Sequence, residues 1–93
     1  MKNLHWQSCT VPDSEGRPLS LRYSLLVDEI PCGASMLLEN YGIRIDASGG
    51  DSLTLPGITP LRCEIEDLLT LMCRNTVTPA TARDVTEDWL ALR

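Results

Sequence analysis

The segment Thr59–Arg93, TPLRCEIEDLLTLMCRNTVTPATARDVTEDWLALR, decides the fold, because its apolar residues recur at helical spacing. Leu61, Ile65, Leu68 and Met72 fall within roughly 60° of one another at about 100° per residue. Glu64, Glu66, Asp67, Thr70 and Arg74 take the other side. Ala82, Val85, Trp89 and Leu92 repeat the stripe, with Asp84, Glu87 and Asp88 opposite. Two helices are predicted. Thr59-Pro60 and Thr78-Pro79 each set a capping hydroxyl before a proline suited to the first turn. Arg74-Asn75-Thr76-Val77 separates the helices, and Asn75 is expected to take the left-handed conformation that closes the first.

Upstream the period changes to that of strands. Leu19, Leu21, Tyr23, Leu25 and Val27 share one face over Leu19–Asp28, and Ser20, Arg22, Ser24 and Asp28 share the other. Leu26 alone breaks the alternation. Over Met36–Asp46, Met36 and Leu38 share a face before the parity shifts to Tyr41, Ile43 and Ile45. A β-bulge near Asn40 and Gly42 is expected. Leu53–Ile58 reads as a short last strand interrupted by Pro56-Gly57, and Leu4–Val11 as a first strand with irregular alternation. Pro12–Pro18 is a turn by composition.

Both amphipathic helices need a partner, and the apolar face of the sheet supplies it. The expected fold is α+β, a small antiparallel sheet of three to four strands packed on two C-terminal helices. Residues 1–93 read as one domain, with a strand and turn over 1–18, a hairpin region over 19–58 and two helices over 59–93.

Composition bounds the function. The chain has 93 residues, a formal net charge of −5 and no Phe, so its core is mainly aliphatic. Four basic residues stand against seven acidic ones in residues 1–58, and four against six in 59–93. Nucleic-acid affinity comes largely from neutralised phosphates, and no basic segment exists to supply it. The second helix presents Asp84, Glu87 and Asp88 where a recognition helix in the major groove would carry Arg, Lys, Asn or Gln. Neither nucleic acid nor a membrane is an expected partner: no run of about 18 apolar residues occurs. The first residues, Met1–Trp6, lack the apolar run of a signal peptide. A cytoplasmic location with reduced cysteines is expected.

Few residues invite catalysis. Cys9, Cys32, Cys63 and Cys73 contain no C-x-x-C pair and no local metal-ligand spacing. Cys63 and Cys73 lie about 15 Å apart along one helix and cannot bridge each other. Cys63 sits near a helix N-terminus, where unpaired amides favour a thiolate, although Glu64 and Glu66 oppose this. The single histidine, His5, stands in the first strand without triad spacing. Ser48-Gly49-Gly50 lacks the lysine of a phosphate loop. No cofactor and no enzymatic activity are expected.

Tyr41-Gly42-Ile43-Arg44-Ile45 and the run from Val77-Thr78-Pro79 to Asp88-Trp89-Leu90 resemble a domain-of-unknown-function family. Its members are short uncharacterised proteins of anaerobic, clostridial-type Gram-positive bacteria. The resemblance spans Leu19–Leu92 and implies no activity, cofactor or site residue.

The residues therefore favour a non-catalytic protein-interaction or regulatory module, binding another protein or itself through an open sheet face or edge. Tyr23, Leu26, Leu38 and Tyr41 are the expected interaction surface. The alternative is a thiol-based redox sensor or metal site that joins the candidate reactive thiol Cys63 to Cys32 or Cys9.

Overall fold

In the computed structural model, which describes residues 1–92, four strands precede two helices. They are β1 (Lys2–Pro12), β2 (Pro18–Pro31), β3 (Leu37–Ala47) and β4 (Ser52–Thr59), then α1 (Arg62–Arg74) and α2 (Pro79–Ala91). The sheet is an antiparallel meander in the order β1-β2-β3-β4. The expected α+β architecture is present, with the larger of the anticipated strand numbers.

Alternation in β2 does what its sequence demands. Leu21, Tyr23, Leu25 and Val27 turn toward the helices and join Tyr41, Ile43 and Ile45 of β3. Ile65, Leu68, Leu69 and Met72 of α1 and Ala82 of α2 close the same core. Each large aliphatic side chain so buried contributes about 1.5–3 kcal/mol.

The irregular alternation of β1 has a physical cause. Its register against β2 shifts between His5 and Gln7. Leu4 pairs with Leu25 before the shift and Cys9 with Leu21 after it, so even positions face the core first and odd positions later. A bulge inverts parity in this way.

The expected bulge in β3 lies elsewhere. Pairing of β2 with β3 is continuous from Leu21↔Ala47 to Pro31↔Leu37. The shift belongs to the β3–β4 pair, where Tyr41 meets Thr59 but Ile43 meets Leu55. Pro56, Gly57 and Ile58 thus detour opposite Gly42. A Cβ at Gly42 would meet the Leu55 carbonyl oxygen and lie 2.7 Å from Pro56 Cα, so only glycine fits there. The parity change near Asn40 reflects the exposure of Met36 and Leu38, not an extra residue.

The helix ends also depart from expectation. Thr59 is still paired to Tyr41, so the chain enters α1 only at Arg62, with Leu61 as N-cap and exposed. The Thr59 hydroxyl accepts from Leu61 N–H at 3.2 Å and donates to Glu64 at 3.3 Å. Thr78 and Pro79 begin α2 as expected, although the Thr78 side chain caps nothing. At the end of α1 the left-handed residue is Thr76 (φ 48°) rather than Asn75 (φ −96°). Val77 N–H reaches the Met72 carbonyl and Thr76 N–H the Cys73 carbonyl, the paired closure of a Schellman motif. On α2 the stripe is shifted: Ala82 and Thr86 are buried, Val85 and Trp89 are half-buried against the core, and Leu92 is exposed.

Candidate interaction surface

β2 and β3 are longer than their neighbours. β1 reaches along β2 only to the pair Lys2↔Val27, and β4 reaches along β3 only to Tyr41↔Thr59. Pro60 follows Thr59 and cannot donate to a further ladder bond, so β4 stops there. Residues 28–40 therefore continue as a ribbon of two strands, paired only to each other through Asp28↔Asn40, Glu29↔Glu39, Ile30↔Leu38 and Pro31↔Leu37. Four further residues at about 3.4 Å each carry the ribbon some 14 Å past the sheet. Its long strands suit the 54 Å principal extent of the molecule.

The ribbon is apolar where it is most accessible. Ile30, Met36, Leu37 and Leu38 are 43–64% exposed. Ile30 and Leu38 are cross-strand neighbours on one face, and Pro31 and Leu37 on the other. Asp28, Glu29 and Glu39 are its only charged residues, and no Lys or Arg occurs between Arg22 and Arg44. An exposed ribbon with two free edges is a template for strand addition.

Of the four residues expected on an interaction surface, only Leu38 is exposed. Tyr23 is fully buried, and its hydroxyl donates to the Val77 carbonyl at 2.8 Å. Burial, reinforced by Cys9 and Cys73 nearby, pushes its pKa up. Tyr41 is 5% exposed and donates to Glu39 at 3.1 Å. Its pKa is raised, by burial first and by Glu39 second. Leu26 is 3% exposed although it points away from the core cluster. It stands opposite Gly42, over which the β4 detour closes. Ile30, Met36 and Leu37 are exposed with Leu38 but were not singled out, although the apolar run Met36-Leu37-Leu38 was a legible signal for two of them.

The cysteines are all free. Cys63 is exposed at the start of α1, as expected, but neither suggested partner is beside it. Cys9 shares the face of Leu21 and Tyr23, near Cys73, ten residues along α1 from Cys63. Cys32 lies in the exposed tip of the ribbon, about 17 Å by strand rise beyond the Val27↔Tyr41 pair. Among the described residues no group of three or more His, Cys, Asp or Glu could hold a metal ion.

His5 is placed by hydrogen bonds. Arg22 Nε donates to its Nδ1 at 3.2 Å, so the neutral ring carries its proton on Nε2, which faces Ser8 Oγ at 3.5 Å. In that tautomer Nε2 is a donor and cannot take a proton from Ser8. The carboxylates Asp84, Glu87 and Asp88 are exposed on α2. A groove of about 510 Å³ between the helices is lined by Leu71, Val77, Val85 and Trp89, with Asp88 at its rim. Among the described residues no helix is long and apolar enough to cross a membrane.

A family model described as a family of unknown function, DUF6514, matches residues 2–92, and the chain belongs to that family. No curated protein and no solved structure matches the chain. The match extends beyond the Leu19–Leu92 span of the resemblance, through β1.

Proposed function

We propose that this member of the family is a small, non-catalytic, cytoplasmic interaction module of bacteria whose working element is the β2–β3 ribbon. The observation that carries the reading is the free ribbon of residues 28–40, with Ile30, Met36, Leu37 and Leu38 exposed on it. Burying such side chains against a partner is worth about 25 cal/mol per Å² of apolar area before the costs of association. The four free cysteines suit a reducing compartment.

Charge chooses the occupant. The ribbon carries three carboxylates and no cation, so two copies meeting through it would bring like charges together. The partner is another protein, offering an extended segment in which apolar residues alternate with Lys or Arg. Its backbone adds to the free edge of β3 at Leu37–Asn40, and its cations meet Glu39, since Glu29 of β2 is already ion-paired with Lys2 at 3.8 Å.

A synthetic peptide alternating Lys and Val serves as probe, titrated into the labelled full chain and followed by amide chemical shifts. Shifts concentrated in residues 28–40, and lost in Leu38→Asp, are expected. Shifts absent, or spread equally over the acidic face of α2, would overturn the reading. Light scattering on the same samples tests the other occupant: a dimer abolished by Leu38→Asp would replace the basic partner with a second copy.

A further inference from the structure

Cys9 and Cys73 come from distant parts of the chain to one place. Cys9 pairs with Leu21 and so shares the core-facing side of the sheet with Tyr23. The Tyr23 hydroxyl reaches the Val77 carbonyl, just past the C-terminal end of α1, where Cys73 occupies the last turn. Burial raises the Tyr23 pKa, and the nearby Cys9 and Cys73 raise it further. The two thiols thus flank one phenol at the seam between edge strand β1 and α1, both half-buried against the core.

The seam is accessible. A shallow cavity of about 440 Å³ is lined by Trp6, Gln7, Thr70, Cys73 and Arg74. Arg74 gives its wall a cation, which suits a small molecule carrying carboxylates.

We propose that Cys9 and Cys73 form a redox-active dithiol, which a small anionic disulfide of the glutathione type oxidises to a bond fastening β1 to α1. The Cys9 thiolate attacks the small disulfide, whose S–S bond breaks as a mixed disulfide forms and one small thiolate leaves. Cys73 releases its proton to solvent and attacks the Cys9 sulfur, expelling the second small thiolate. Two protein thiols are oxidised, and one small disulfide is reduced to two thiols. Burial, with Cys9 nearby, pushes the Cys73 thiol up to about 11, which makes it the slow, resolving partner.

This dithiol is not the one sequence spacing suggested. Cys63 lies about 15 Å from Cys73 along α1. Cys32 lies about eleven strand residues, or some 36 Å, from the Cys9↔Leu21 pair.

The reduced full chain is incubated with oxidised glutathione, quenched by alkylation and mapped by mass spectrometry without reduction. A Cys9–Cys73 link exceeding every other cysteine pair by about tenfold is expected, with Cys32 and Cys63 carrying only glutathione or the alkyl group. Cys73→Ser should hold Cys9 as its glutathione adduct, and Cys9→Ser should form no link. Oxidation should raise Tm in the wild type and leave it unchanged in Cys9→Ser. Cys9 and Cys73 modified separately without linking, or a dominant link through Cys63 or Cys32, would overturn the proposal. Binding by the ribbon plays no part in this assay, so each reading fails on its own.

Discussion

The Tyr23 hydroxyl donates a 2.8 Å hydrogen bond to the backbone carbonyl of Val77, joining the central strand to the link between the helices across 54 residues of sequence. The phenol buries its ring in the core while its polar end satisfies a carbonyl that would otherwise be stranded at the turn. Tyr23→Phe keeps the ring and removes the donor. A loss of about 1–2 kcal/mol in urea unfolding, at unchanged m-value, is expected.

Gly42 carries the β4 detour. A methyl group there meets the Leu55 carbonyl and Pro56 Cα, which are backbone atoms and cannot rotate aside. Gly42→Ala is expected to cost about 3 kcal/mol. Amide shifts should move most in residues 55–59 and around Leu26. A neutral substitution would mean that β4 takes another path.

Thr76 holds a left-handed conformation (φ 48°) to close α1, a geometry that costs a β-branched residue about 1–2 kcal/mol. Glycine removes that cost but adds freedom to the unfolded chain. Thr76→Gly should gain about 0.5 kcal/mol net in chemical denaturation. Thr76→Pro cannot reach positive φ and should unfold the C-terminal end of α1 first, visible as lost protection of the Asn75 and Val77 amides.

Alkaline pH should loosen the fold. The Cys73 pKa is raised from 9.0 to about 11 by burial and then by Cys9, and that of Tyr23 is raised by burial first. Both groups are neutral when protonated, so the unfolded chain loses these protons before the folded one does. The Cys73 contribution is complete below about pH 9 and is lost as pH rises through about 11, and the Tyr23 contribution begins to fall only above about pH 10. Urea midpoints measured across this window should fall, and fall less in Cys73→Ala. A flat wild-type profile would contradict the burial of both groups.

The ribbon should tolerate changes that the core rejects. Leu38→Asp falls at a half-exposed site beyond the helices and should alter stability by no more than about 0.5 kcal/mol. Leu68→Ala, fully buried in α1, should cost about 2–5 kcal/mol. Thermal melts of the two variants give this contrast directly.

Period and punctuation alone determined the element types. Alternation from Leu19 to Val27 made β2, the stripe through Ile65, Leu68 and Met72 made α1, and Thr78-Pro79 began α2 at the predicted residue. These signals are local, since a strand or helix presents its own side chains at a fixed angle. Tertiary structure alone decided what depends on a neighbour's length or register. Leu26 is buried because Gly42 and the β4 detour lie beside it, and Tyr23 because α1 ends above it. Leu38 is exposed because Pro60 ends β4 at the Tyr41 pair, three residues short of it. Cys9 shares the core-facing side of Leu21 and Tyr23 because the bulge after His5 turns odd positions inward. Burial and proximity are properties of pairs, and a pattern read along one strand cannot contain the strand or helix that will cover it.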